Sequence, residues 1–219
     1  MPDISAYLRP NRHVDSDHPA IMAFAQTVAG GLRPREAAVA LHEAVRERLW
    51  YTPWRVSFSE DAYRASAVLQ RKPEEGGHCI DKALLLAASA RAIGIPARMH
   101  YANVRNHLGT AKLVEALGTD LMVFHGYTEL HLGGRWVAAT PAFNRALCAR
   151  LGVAPLEFDG VHDSIFQEND GAGGRFMEYV EDHGTFEGVP FDLMIRQWEQ
   201  HYPQFALRRR WADPPADHD

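Results

Sequence analysis

An α+β fold is predicted by three features of the chain. Apolar residues recur at helical spacing over most of the first ninety positions, whereas beyond residue 97 the period switches to two. The most apolar helical stretch, Cys79 to Ile93, is Ala/Leu-rich around most of its circumference and therefore reads as central and buried. Two alternating runs are joined by Gly133-Gly134, a two-residue hairpin turn, so the sheet that follows the helices is largely antiparallel.

Taken in order, residues 19 to 30 and 34 to 50 read as two helices. Pro34 suits a first-turn position of the second, where Leu41, Val45 and Leu49 share a face. Tyr51-Thr52-Pro53 ends it, because a proline disfavours helix in the residue before it. Residues 54 to 75 carry mixed signals and read as irregular with one short helix. Gly76-Gly77 allow a close approach to the first turn of the Cys79 helix, and Gly94 suits the left-handed cap past its end. Strands are predicted over Ala97 to Val104, Leu121 to Leu132 and Arg135 to Ala139, with a helix over 107 to 118 between the first two. Further helices are predicted over 143 to 151 and 190 to 202. The segment after Trp211, ADPPADHD, is short and polar and reads as a frayed tail, which leaves 1–211 as one domain and 212–219 outside it.

Of 219 residues 46% are hydrophobic, enough to build a core and too many for a disordered chain. The formal charge of -5 is spread along the chain and gives no basis for nucleic-acid binding, which needs a concentrated basic patch. The one basic cluster, Arg208 to Arg210, reads as a solvated end. Two cysteines cannot form a disulfide framework, so a reducing compartment is expected. The opening MPDISAYLRP lacks a basic segment followed by an apolar one, and no apolar run approaches the ~20 residues that span a bilayer. The expectation is a cytoplasmic protein without membrane or nucleic-acid partners.

Cys79 opens the clearest helix. Helix-terminal N–H groups and the positive end of the dipole favour thiolate there, and the same N–H groups could serve a developing oxyanion. Position alone leaves a second reading open, that of a small buried hydrophobe. A thiol nucleophile needs a base within reach. His125 lies on the second predicted strand, on the face shared by Tyr127, Glu129 and His131.

Two stretches taken together carry a resemblance. GGHCIDKALLLAASARAIGIPAR, residues 76 to 98, resembles the cysteine motif of the transglutaminase-like superfamily: a Gly, a Cys that opens a helix, and an ending in Arg-Ala-x-Gly-Ile-Pro-Ala-Arg. HGYTELHLGGRWVAATPAFN, residues 125 to 144, resembles its histidine hairpin, and YANVRNHLGTAKLVEALGTDLMVFHGYTEL is similar to a bacterial subgroup. The resemblance extends over roughly residues 20 to 190 and implies a papain-like core with the nucleophile helix packed on an antiparallel sheet. It implies Cys79 as nucleophile and His125 as general base in acyl transfer or hydrolysis of a peptide or amide through a thioester. No cofactor or metal is expected, and calcium dependence is not expected because no acidic loop has a calcium-site spacing. The third position of the family triad falls on Thr140, where the family has Asp. A Thr hydroxyl can orient the ring but brings no negative charge, so the thiolate–imidazolium pair is expected to be weaker.

Other polar groups near these motifs have competing readings. Asn144 lies near Thr140 and could orient the histidine or contact substrate. Asp159 and Asp163 could fold back to the site, whereas Glu129 lies about 13 Å along the strand. Tyr127 takes the place of a family Trp and is expected to wall the cleft. His78, before the nucleophile, lines the cleft or stands exposed in a loop. Cys148 reads as core. His162-Asp163 lacks a third metal ligand at a recognisable spacing, and Gly171-Ala172-Gly173-Gly174 lacks the flanking elements of a phosphate loop. The substitution at Thr140 raises the alternative of a catalytically degenerate domain that binds a peptide or partner protein. A histidine-based metal hydrolase would need ligand spacing that the chain does not show.

Overall fold

Helices come first and strands follow, in the order the switch of period implies. The computed structural model describes residues 4–107, 114, 115, 117–166 and 177–202. Four helices come first: α1 (Pro19–Ala29), α2 (Pro34–Arg48), α3 (Ala65–Gln70) and α4 (Cys79–Ala92). Strands β1 (Ala97–Asn106), β2 (Leu121–Leu132) and β3 (Arg135–Ala139) follow, then α5 (Arg145–Leu151), β4 (Met177–Phe186) and α6 (Phe191–His201).

The residues at each boundary explain it. His18 caps α1 by accepting the Ala20 N–H through Nδ1, and Pro19 and Pro34 occupy opening positions whose N–H would have no helical partner. Helix α2 ends at Arg48 rather than 50, because Leu49 is already extended. Gly94 follows α4 at φ +82°. Gly133 and Gly134, at φ +58° and +84°, make the β2–β3 turn that two residues can close only with left-handed backbone. The stretch 54 to 75 holds α3 together with short 3-10 turns at Glu60–Tyr63 and Pro73–Glu75.

The sheet order is β3-β2-β1-β4, with every neighbouring pair antiparallel. Helix α4 is the axis of the core, buried on every side from Cys79 to Arg91. It packs on β1 and β2 with one side and on α1, α2 and α3 with the other. Leu84, Leu85 and Leu86 have no exposed surface. Each such leucine contributes roughly 2 kcal/mol of hydrophobic stabilisation. Strand β4 has no counterpart in the sequence expectations, and β1 runs two residues past Val104. Of the helix expected over 107 to 118, residues 114, 115 and 117 are helical and the rest of its centre lies outside the described residues. The tail 212–219, the cluster Arg208 to Arg210 and the glycines at 171 to 174 also lie outside them.

Candidate active site

Cys79 is the first residue of α4, and its surroundings are built from three segments. His78 caps the helix: its Nδ1 accepts the Ile80 N–H at 3.2 Å, while Asp81 Oδ2 accepts the His78 N–H at 3.0 Å. The Asp81 carboxylate is in turn paired with Arg71 at 2.9 Å. This reciprocal cap fixes the first turn, so the Ile80 and Cys79 amides face the thiol. The third segment is β2, whose Gly126 backbone lowers the Cys79 thiol's pKa as that of Ile80 does. Glycine allows a close approach there: a Cβ on Gly126 would lie 3.1 Å from Ile80 Cγ1 and 3.3 Å from Ile80 Cα, so the neighbours would have to give way.

The residue before Gly126 is His125. A backbone irregularity sets its position. Phe124 sits at φ +63°, in the left-handed region that residues other than glycine rarely adopt. Opposite it the β1–β2 register shifts between Ala102 and Val104, and Asn103 Oδ1 accepts the Phe124 N–H at 2.8 Å. The same oxygen accepts from His183 Nε2 at 3.0 Å, and Asn103 Nδ2 donates to Glu181 at 2.7 Å. Bulges of this kind re-aim a side chain next to a functional site. Asn103, Phe124 and His183 escaped the sequence reading. The one available signal was an Asn inside the apolar run YANV.

His125 is 2% exposed, and neither ring nitrogen makes a hydrogen bond among the described residues. Its ring centroid lies 5.7 Å from Phe166 and 6.5 Å from Tyr127. Burial lowers its pKa to about 4, helped by the neighbouring His78. The Cys79 thiol is 8% exposed, and burial raises it to about 11 even though the Gly126 and Ile80 amides pull it down. Desolvation therefore outweighs the helix terminus, and burial leaves both the thiol and the imidazole neutral at rest.

Thr140 follows Ala139, the last residue of β3, which pairs with Thr128, and its N–H donates to the Ser164 carbonyl at 2.9 Å. Its hydroxyl is buried and makes no hydrogen bond to His125 or to any other described residue. The remaining expected groups go elsewhere. Asn144 caps the end of α2: its Oδ1 accepts the Tyr51 N–H at 2.7 Å, and its Nδ2 donates to the Arg46 and Leu49 carbonyls. Both hydrogens of its amide nitrogen are thereby used within the protein. His78 is 5% exposed and part of the helix cap rather than an exposed loop residue. Tyr127 stacks on His100 at 4.6 Å instead of lining the space at the thiol. Glu129 is held by Arg98 and His100. Asp159 is bonded to His162, and Asp163 accepts the Ala138 N–H at 2.8 Å.

The thiol opens into a cavity of about 60 Å³ lined by Pro53, Val56, His78, Val123, Trp198 and Tyr202, among others. A larger concavity of about 930 Å³ lies between the start of α2 and the β2–β3 turn and includes none of these residues. Among the described residues no three His, Cys, Asp or Glu side chains gather to hold a metal ion, and no helix is long and apolar enough to cross a membrane.

The profile of the transglutaminase-like superfamily matches residues 22–141, more than half of the chain and inclusive of Cys79, His125 and Thr140. The chain belongs to that superfamily. Among solved structures, a "putative cysteine protease" from Cytophaga hutchinsonii superimposes with a TM-score of 0.56 at 17% identity. The match covers 89% of this chain and 50% of the other, so this transglutaminase-like chain spans half the length of that protein. A "putative protease" from Parabacteroides distasonis gives a TM-score of 0.37 at 17% identity, over 64% of this chain and 27% of that one. At such identities the first likeness establishes the fold. No curated protein matches the sequence.

Proposed function

We propose that this transglutaminase-like domain is a thiol-dependent enzyme that hydrolyses an amide or peptide bond, with Cys79 as nucleophile and His125 as base and then acid. The observation that supports it is the cradle at the start of α4. The Gly126, Ile80 and Cys79 backbone groups each favour the Cys79 thiolate, and His125 directly precedes Gly126. In the reaction the thiol proton passes to the imidazole as sulfur attacks the carbonyl carbon. The oxyanion forms against the amide N–H groups, where a donor contributes roughly 3 kcal/mol to the transition state. Collapse breaks the C–N bond, His125 delivers the proton to the leaving amine, and a thioester remains. Water, deprotonated by His125, then releases the carboxylate and restores the thiol. With an amine in place of water the same thioester would give transfer.

The test is a mixture of N-acetylated peptides incubated in ¹⁸O-water with wild type, Cys79→Ser and His125→Ala. We expect ¹⁸O-labelled new C-termini with wild type and loss of at least about a thousand-fold in either variant, the scale of removing a nucleophile or its base. Product that persists in Cys79→Ser would sink the assignment. A second reading is favoured by the missing hydrogen bonds at His125 and by Thr140, which brings no charge: the domain binds peptides without turnover. Equal peptide affinity in wild type and Cys79→Ser, with no labelled product in either, would select it.

A further inference from the structure

The cavity at Cys79 is too small for a peptide, and the group that closes it is α6. Trp198 and Tyr202 line the cavity together with Val123 and the thiol. Their polar atoms do something specific on β2. Tyr202 accepts the Val123 N–H through its hydroxyl at 2.7 Å and donates to the Leu121 carbonyl at 2.8 Å. Trp198 Nε1 donates to the Val123 carbonyl at 3.1 Å. Strand β3 pairs with β2 only from Thr128 to Leu132, so among the described residues no strand lies beside the β3-side edge of the 121–123 segment. Val123 presents both its N–H and its C=O to α6, and two residues away Leu121 presents its C=O. That period of two, with donor and acceptor from one residue, is the pattern an antiparallel neighbour would meet.

We propose that this edge of β2 is the docking site for the substrate, which binds as an extended peptide strand, and that Trp198 and Tyr202 occupy its hydrogen-bonding positions while the site is empty. The proposal rests on the functional reading above and adds the form of the substrate. A peptide residue paired with Val123 would accept the N–H that Tyr202 now accepts and donate to the carbonyl that Trp198 now meets. Its chain would then run along the wall shared with Cys79. Strand addition to an open edge supplies affinity through the main chain and leaves side-chain selection to neighbouring pockets. Helix α6 must move for this to happen. It is anchored by Met194, Ile195 and Trp198, while its other face is polar. The same cover accounts for the burial of the thiol.

The test uses two thiol reagents on the full chain, iodoacetamide and acetyl-Ala-Ala-Ala chloromethyl ketone. Both form an S–C bond at Cys79 and expel halide, with the thiol proton passing to base. Tyr202→Phe removes the hydroxyl and both of its bonds to β2 without removing the ring. We expect it to raise Cys79 labelling by either reagent about ten-fold, and Trp198→Ala to raise it further. The peptidyl reagent should gain more than iodoacetamide. N-methylation at one of its amides, but not at the adjacent one, should cancel that extra gain, because alternate amides face a neighbouring strand. If Trp198→Ala does not fold, Tyr202→Phe and the N-methyl series decide. Unchanged labelling in Tyr202→Phe, or no discrimination among N-methyl positions, overturns the docking site. If that happens while labelling still falls in His125→Ala, the functional reading survives. If His125→Ala changes nothing even in the Tyr202→Phe background, the functional reading fails separately.

Discussion

Cys79 begins a helix with amide donors around its sulfur, yet burial holds its thiol at about 11, so location at a helix terminus does not by itself make a thiolate. The same burial holds His125 at about 4. Among the described residues the buried Thr140 hydroxyl and both His125 ring nitrogens have no hydrogen-bond partner. Unpaired polar atoms in a dry site cost on the order of 1–3 kcal/mol each, which makes this cluster responsive to an added charge. We expect Thr140→Asp to speed the pH-dependent alkylation of Cys79 and to move its midpoint downward by one unit or more, the direction set by a carboxylate that stabilises imidazolium. The check is the iodoacetamide rate from pH 5 to 11, with Cys148 as internal control. An unchanged midpoint would show that position 140 does not reach the ring. Gly126→Ala should lower peptide turnover at least about ten-fold with a smaller effect on stability, because the new methyl pushes β2 away from Ile80. Equal loss of turnover and melting temperature across a set of β2 variants would argue against that account. The Cys and His were legible as residues because both motifs are contiguous. The bulge at Asn103 and the left-handed Phe124 were not, since they arise from pairing between segments about twenty residues apart.

Helix α2 shows how an element can be held from outside its own sequence. Its last carbonyls, Arg46 and Leu49, each receive Lys82 Nζ, at 2.7 and 2.9 Å, and also Asn144 Nδ2. Lys82 has no exposed surface, and burial lowers its pKa to about 7. Its position three residues after Cys79 puts it on the α2 side of α4, so the nucleophile helix also caps its neighbour. Nothing in the spacing of Asn144 announced this role, which depends on a contact 95 residues back along the chain to Leu49. Either donor alone can satisfy the carbonyls in part; loss of both strands two buried acceptors. We therefore expect Lys82→Met to cost about 1 kcal/mol, Asn144→Ala about 2 kcal/mol, and the pair more than the sum. Urea unfolding of the four proteins in the cycle measures the coupling, and simple additivity would show that the two donors act independently. Strand β4 is the element the alternation could not reveal. It pairs with β1 at the sheet edge, and MEYVEDHGTF carries acidic residues where an inner strand would alternate. Edge strands tolerate such charge, and benefit from it, because it discourages pairing with other chains.

At the scale of the whole molecule, α4 was readable because thirteen consecutive buried residues leave an apolar signature, and the β2–β3 hairpin because its turn needs two glycines. What composition did not disclose is how many histidines the fold buries. His42 is 1% exposed and lowered to about 4, mainly by burial with Arg46 adding to it; His125 is lowered to about 4; His13 and His78 are shifted the same way by burial. A histidine whose folded pKa is depressed contributes stability that is present above its unfolded pKa, near 6.5, and that is lost as pH falls from there towards the folded value. For His42 and His125 the window is therefore about pH 6.5 down to about 4. At about 1.4 kcal/mol per unit the loss is on the order of 3 kcal/mol for each, a large fraction of the roughly 5–15 kcal/mol that holds a domain together. His100 works in the opposite sense. Its ring lies between Glu129 and Asp182, at 2.8 and 2.6 Å, and despite burial its pKa is raised, so its contribution is present in acid and fades as pH climbs through the raised value. One histidine of that sign does not offset two of the other. We expect the free energy of unfolding to fall steeply between pH 6.5 and 4.5, by more than one proton's slope, with His125→Gln and His42→Gln each removing close to one proton of it. Urea titrations at half-unit intervals across that range provide the measurement. A flat profile, or a slope unchanged in both variants, would mean that the two rings are reached by water in the folded protein and are not held neutral by burial.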